Sequence, residues 1–299
     1  MYAWMRILSE STRVFHEEIP AVTSLELFPN ADEAEPGRQR LSNDNSDTRL
    51  DDFLELEPHK ARLGSSTGVQ DAPKSSAVDI HMETSHHDLD NLHMQIYGVP
   101  ETWLRLVSQV TRLANVLDQL SPKVKRSDAE VMVSLQPKSS YLEDAVCLFK
   151  ARHSVQVSNS KNTGEATPHA FMLQALSSAL VIFYYRRIKN VNPLVLQDSV
   201  NSVIASLHGF DKALEQRKLL GPGTAWPAFI AGAEAMSSEQ RQQIVTWLNN
   251  AWNRSHWKGY STSKGILDEV WRERDKAGGS QSPTWVDICR RSRQWPLLC

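Results

Sequence analysis

The sequence predicts an all-α protein, an irregular multi-helix domain carrying a long disordered insert. Three observations carry that reading. No segment shows the period-two alternation between turn signals that marks a strand. Several long segments place apolar residues at helical spacing. A Trp-rich region opening with Gly221 to Ala235 (GPGTAWPAFIAGAEA), followed by Trp247, Trp252, Trp257, Trp271, Trp285 and Trp295, demands a packed core.

The elements follow in order. Residues 2–19 read as one helix, with Trp4, Ile7, Leu8, Val14, Phe15 and Ile19 near helical spacing and no cap or partner before them. The unit is taken as residues 1–29, a helix entered in its middle. Residues 30–91 turn to Asp, Glu, Ser, Asn, Gly, Pro and Thr and cannot bury enough surface to offset chain entropy, so a disordered acidic and polar insert is expected. Residues 92–299 form the helical domain. Its first helix follows Pro100 and carries Trp103, Leu104, Leu106, Val107, Val110, Leu113, Val116, Leu117 and Leu120. A polar patch from Ser121 to Ser139 precedes a short helix, Tyr141 to Arg152, and a second polar stretch runs from Ser154 to Thr167.

Thr167-Pro168 opens a long apolar helix through Phe171, Leu176, Leu180 and Phe183 to Ile188. Pro193 starts another, carrying Val195, Leu196, Val200, Val203, Ile204 and Leu207. After Gly221 come four short helices: Ala225 to Ala235, Ser238 to Asn250, Thr262 to Lys276 and Pro283 to Ser292. Ser237 with Gln240 has the form of a capping box, and Ser282-Pro283 reads as a helix start. No period of a repeat architecture emerges.

Composition narrows the function classes. The 299 residues are 40% hydrophobic and 23% charged with net charge −2, which provides no general polyanion-binding field. Cys147, Cys289 and Cys299 make neither a CxxC pair nor a disulfide framework, in keeping with a reduced intracellular setting. The N-terminus lacks a secretory pattern, and no apolar run is long enough for a membrane span.

Candidate chemistry is sparse. Asp51-Asp52-Phe53-Leu54-Glu55 has the form of an acidic motif that chelates magnesium in all-α terpenoid synthases, and Asp51, Asp52 and Glu55 are the basis of an alternative reading as such an enzyme. The motif sits in the polar insert with no matching second metal motif downstream. His81, His86, His87 and His93 lie close in sequence without sharing a helical turn in an ordered segment. Cys147 with His153 or His169, and Ser177 or Ser178, lack a strained elbow or an orienting acid; Cys147 reads as a buried thiol on an apolar helix side. Gly221-Pro222-Gly223 lacks the lysine and strand of a phosphate loop and serves as a chain break. Arg186-Arg187-Ile188-Lys189 and Arg290-Arg291-Ser292-Arg293 are basic clusters at helix ends, where they favour the dipole. The reading is therefore of a non-enzyme with no catalytic or metal residues.

Taken together, the ordered segments resemble the C-terminal regulatory region of fungal zinc binuclear cluster transcription factors, of the arginine metabolism regulator type. The residues that carry this are Ile96-Tyr97-Gly98-Val99-Pro100-Glu101, Ala179 to Ile188 (ALVIFYYRRI), Leu196 to Val200 (LQDSV), Trp226 to Ala235 (WPAFIAGAEA), Ile266 to Asp275 (ILDEVWRERD) and Trp285-Val286-Asp287, in that order over residues 92–295. The resemblance implies a regulatory domain that responds to an effector or to partners, in the nucleus, controlling metabolic genes such as those of arginine or nitrogen metabolism. In that family a cysteine-rich module holds two zinc ions and reads DNA. Three scattered cysteines cannot build it, so zinc is expected only in a module absent from this chain. The expectation is either a fragment of a longer factor or a chain that works without touching DNA itself. Its expected partners are the transcription machinery or a full-length homologue, a possible small-molecule effector and a possible second copy; no membrane is expected. From aromatic density alone, Trp226, Phe229, Glu234, Trp247 and Trp271 are the candidates for an effector or partner surface, weighed against a core role for each.

Overall fold

The computed structural model describes residues 7–8, 11, 98–120, 126–162, 167–219, 221, 223–277 and 283–296. Among them are eight α-helices, one 3-10 helix and no strand. The expected helix over residues 2–19 is described only at Ile7, Leu8 and Ser11, which are helical, and the expected insert over 30–91 lies outside the described residues.

Helix α1 spans Glu101–Leu120. It starts directly after Pro100, and its face of Trp103, Leu104, Val107, Val110 and Leu113 is fully buried.

Helix α2 spans Arg126–Asn162, one 37-residue element rather than the short Tyr141–Arg152 helix that the two polar stretches suggest. Among its described side chains the buried stripe is narrow: Leu135, Leu142, Val146 and Phe149 face the core, so a helix forms without a broadly apolar sequence. Pro137 lies inside the helix. Pro137 takes the donor from the Val133 carbonyl, and both residues are exposed. Cys147 is exposed, not buried as its apolar sequence neighbours imply, because it sits outside the Leu142–Val146–Phe149 stripe.

Helix α3, Pro168–Arg187, is capped by Thr167, whose side-chain oxygen accepts from the Ala170 N–H at 3.2 Å, with Pro168 in the first turn. It is the central element. From Met172 to Tyr184 nearly every residue is buried, as expected of a helix apolar all round, and it packs on α2 and on α4. The chain then forms a 3-10 turn, Pro193–Leu196, before α4, Gln197–Arg217. The helix expected from Pro193 thus begins four residues later. The Asn192 side chain accepts from the Leu194 N–H at 2.9 Å, holding the tighter turn, and Val195 is exposed.

Helix α5, Trp226–Glu234, has all nine residues buried. Helix α6, Ser238–Ser255, carries the expected capping box: the Gln240 N–H donates to Ser237 Oγ and the Gln240 side chain accepts from the Ser237 N–H, both at 3.1 Å. Helix α7, Lys258–Ala277, starts four residues before the expected Thr262. Helix α8, Trp285–Ser292, is capped by Thr284 with Asp287, not by Ser282, because Asp287 supplies the return acceptor for the Thr284 N–H. One continuous apolar cluster runs from Leu8 through Cys289, with α5 enclosed by α3, α4, α6 and α7. No helix of the described residues is long and apolar enough to cross a membrane.

Candidate functional site

The enclosed helix α5 brings the sequence-derived candidates together. Trp226 at its start is fully buried. Its indole meets Trp103 edge-on at 5.2 Å between centroids and Phe183 at 5.7 Å, and Nε1 donates to Ser11 Oγ at 2.9 Å. That bond fixes the first described segment of the chain against α5. Phe229, one turn on, packs edge-on against Trp285 of α8 at 5.6 Å. Gly232 is where α5 approaches its neighbours most closely: a Cβ there would lie 2.8 Å from Leu267 Cδ1 and 3.1 Å from Ile244 Cγ2.

A helix ending inside a core leaves carbonyls that no water reaches. Here surrounding side chains satisfy them. Trp271 Nε1 donates to Gly232 O at 2.9 Å, Arg274 Nη2 to Ala233 O at 2.7 Å, and Gln197 Nε2 to Glu234 O at 3.0 Å. Arg241 Nε reaches Ala235 O at 3.4 Å while its guanidinium lies over the Trp271 ring at 5.6 Å. Donors from α4, α6 and α7 therefore converge on one helix end, where guanidinium charge also suits the negative end of the dipole.

Glu234 completes the cluster. Its carboxylate, 2% exposed, lies 2.9 Å from Arg186 Nε of α3 and 3.7 Å from Arg274 Nη2 of α7. The Arg186 N–H points off the line to Oε2, so the contact is one of charge more than of a directed hydrogen bond. Burial pushes the Glu234 carboxyl up against the pull of both arginines, and burial pulls Arg274 down. Arg186 also donates to Val191 O at 2.5 Å, which ties the chain after α3 to the same cluster.

The last candidate, Trp247, sits apart from this end. Trp247 of α6 is buried against Tyr260 at 6.0 Å, and its Nε1 has no acceptor among the described residues. Tyr260 donates to Gly223 O at 2.8 Å; burial holds its hydroxyl well above the usual phenol range. Trp271 is 7% exposed, the most exposed of the five candidates. None of the five lines the polar groove of about 460 Å³ between α4 and α6, bordered by Asn201, His208, Glu239, Gln240 and Gln243. None lines the apolar groove of about 320 Å³ among α1, α2 and α3.

The groups weighed as nucleophiles do not assemble. Cys147 Sγ has the Tyr185 hydroxyl at 3.9 Å, His153 Nδ1 meets Phe149 O at 2.8 Å, and His169 Nε2 meets Gly98 O at 2.5 Å. Ser177 donates back to Leu173 O, and Ser178 pairs with Ser202 at 3.0 Å. Asp51, Asp52, Glu55, His81, His86, His87 and His93 lie outside the described residues.

Sequence reasoning missed Arg186, Gln197, Arg241 and Arg274. Arg186 reads as a helix-end charge, yet it is an ion-pair partner. Arg187 of the same cluster pairs with Asp118 at 2.8 Å, joined there by Arg290 at 3.1 Å. The available signal is Arg274 three residues after Trp271, on the same helical face.

Over 203 residues the chain is 22% identical to Arginine metabolism regulation protein II of Saccharomyces cerevisiae. The alignment takes in 64% of this chain but 22% of the relative, so the chain spans well under two thirds of that protein's length. No solved structure matches. The family profile described as fungal specific transcription factor domain matches residues 1–299, and the chain belongs to that family.

Proposed function

We infer that this chain is a regulatory domain controlling metabolic genes, those of arginine or nitrogen metabolism, and that it acts through protein partners or a small effector and not by touching DNA or by catalysis. The observation that carries this is the family match over residues 1–299, given direction by the arginine regulator among its relatives. The near-neutral net charge of −2 supports a role through proteins and small molecules over one through a polyanion. In this reading the site of action is the nucleus, no metal or cofactor is held by the chain, and residues 92–299 are the regulatory unit.

Trp226, Phe229, Glu234, Trp247 and Trp271 then have a defined part. Each is at most 7% exposed, so an effector that engages them does so by opening the packing around α5. Regulation would amount to a shift between two packings of the helices that surround α5. The polar alternative, magnesium at Asp51, Asp52 and Glu55, has no support from the family match.

Disruption of the gene tests the proposal. Transcripts of arginine and nitrogen metabolism are expected to change between disruptant and parent when the nitrogen source is switched. Unchanged transcripts in that class, on every nitrogen source, would refute it.

A further inference from the structure

Three large apolar side chains stand in solvent where α5 ends. Leu194 is 64% exposed and Val195 71%, next to each other on the 3-10 turn, and Met236, two residues past Glu234, is 38% exposed. Gln197 brings the two segments together: its Nε2 donates both to Pro193 O at 2.7 Å and to Glu234 O at 3.0 Å, so the turn and the end of α5 are one side chain apart. Arg274 Nη1 lies 3.9 Å from Met236 Sδ, which joins the same segment to α7. The turn presents its pair in a fixed conformation. Pro193 sets its entry, the Asn192 side chain accepts from the Leu194 N–H, and Leu196 is buried beneath it. Apolar side chains held in water in this way, beside the candidate site, are what a partner surface covers.

The charges beside these side chains specify the partner. Asp198, in the first turn of α4, follows Leu194 by one helical turn, and Glu239, in the first turn of α6, follows Met236 by nearly one. Both are exposed, and neither has an ion pair among the described residues. The cations of this region, Arg186, Arg241 and Arg274, all face acids of the domain itself. The patch is therefore apolar at its centre and negative at its edge. An acidic segment, a nucleic acid or an anionic lipid surface is repelled there, and a second copy laid on the patch sets like charges together. A segment whose apolar side chains are flanked by lysine or arginine matches it.

We propose that Leu194, Val195 and Met236, with Asp198 and Glu239 beside them, dock a segment of a protein partner that is apolar at its centre and basic at its flanks. This rests on the reading of the chain as a regulatory domain and names the kind of partner it takes. Contact at the turn reaches the buried cluster directly, because Gln197 joins the turn to Glu234 O and Arg186 joins Val191 O to the Glu234 carboxylate.

Fluorescence anisotropy on the full chain tests it, with a labelled amphipathic peptide of leucine and lysine as the probe beside the same peptide carrying glutamate for lysine. The lysine peptide is expected to bind, and the glutamate peptide to bind about tenfold more weakly or less. Leu194→Ser/Val195→Ser weakens binding of the lysine peptide by about tenfold or more. Asp198→Asn/Glu239→Gln narrows the preference between the two peptides by about fivefold. All four side chains are exposed, so helicity by circular dichroism stays at the parent level. No binding of the lysine peptide would overturn the proposal; so would binding indifferent to both double variants, or a preference for glutamate. In a reporter fusion to an unrelated DNA-binding domain, Leu194→Ser/Val195→Ser is expected to remove the response. A response that persists overturns the docking surface and leaves the regulatory reading standing. A parent fusion without any response counts against the regulatory reading, while the peptide titration still decides the surface.

Discussion

Glu234 shows how much one side chain can carry. Two guanidiniums from α3 and α7 meet its carboxylate inside the core, so deleting it takes the carboxylate counter-charge from both while their backbone carbonyl partners remain. Glu234→Ala is expected to cost about 3–5 kcal/mol in chemical denaturation, the range for breaking one side of a buried pair. The cysteines divide as sharply. Cys289 is buried and its thiol is pushed up to about 12 by that burial, while Cys147 is exposed. In Cys299→Ser protein at pH 8, a disulfide reagent should titrate one thiol, with the second reacting only under denaturant.

Glu143 offers a test by pH. The Tyr185 hydroxyl, donating at 2.8 Å, holds its carboxyl below the usual carboxylate value against a smaller opposing effect of burial, and Lys189 at 3.1 Å adds to the depression. A depressed carboxyl contributes stability that is present above its unfolded value of 4.5 and is lost as the pH falls through the folded one. Glu143→Gln should therefore lose about 0.5 kcal/mol at neutral pH, a figure kept small by solvent screening. That deficit should close as the pH is lowered from 4.5 through the depressed value.

At the level of elements, the helices most legible in the sequence are those whose apolar stripe or cap is strong. Helix α3 announces itself by Thr167-Pro168 and an apolar run, and α6 by Ser237 with Gln240. Ser237→Ala should cost about 1 kcal/mol of stability by loss of that cap. Helix α2 is hard to read because its core contact is a thin stripe in a polar sequence and Pro137 imitates a break. The start of α8 is displaced because two good capping sites, Ser282 and Thr284, lie two residues apart, and Asp287 decides between them. Gly232 on α5 has a role that no local rule supplies. Alanine gains about 1 kcal/mol in a helix on propensity, yet here its Cβ meets Leu267 and Ile244, both buried with no room to swing. Overpacking of about 1–3 kcal/mol should prevail, and Gly232→Ala should melt below the parent.

Across the whole molecule, the fold is a set of helices gathered on an enclosed nine-residue helix whose end is satisfied from several directions. The candidates Trp226, Phe229, Glu234, Trp247 and Trp271 were visible in the sequence as an aromatic-rich group. Their arginine and glutamine partners were not, because the bonds of Arg186, Gln197 and Arg274 span 37 to 48 residues and depend on how helices pack rather than on spacing along one of them. We also propose that residues 30–91 are dispensable for the helical domain; a chain lacking them should show the parent melting temperature.

The central claim is that this domain regulates transcription. The most direct measurement tethers it to an unrelated DNA-binding domain and records a reporter on different nitrogen sources, beside the same fusion carrying Glu234→Ala. The expected result is a reporter level that changes with the nitrogen source and a response lost in the Glu234→Ala fusion at equal protein abundance. A reporter level identical to that of the DNA-binding domain alone, on every nitrogen source, would contradict the account.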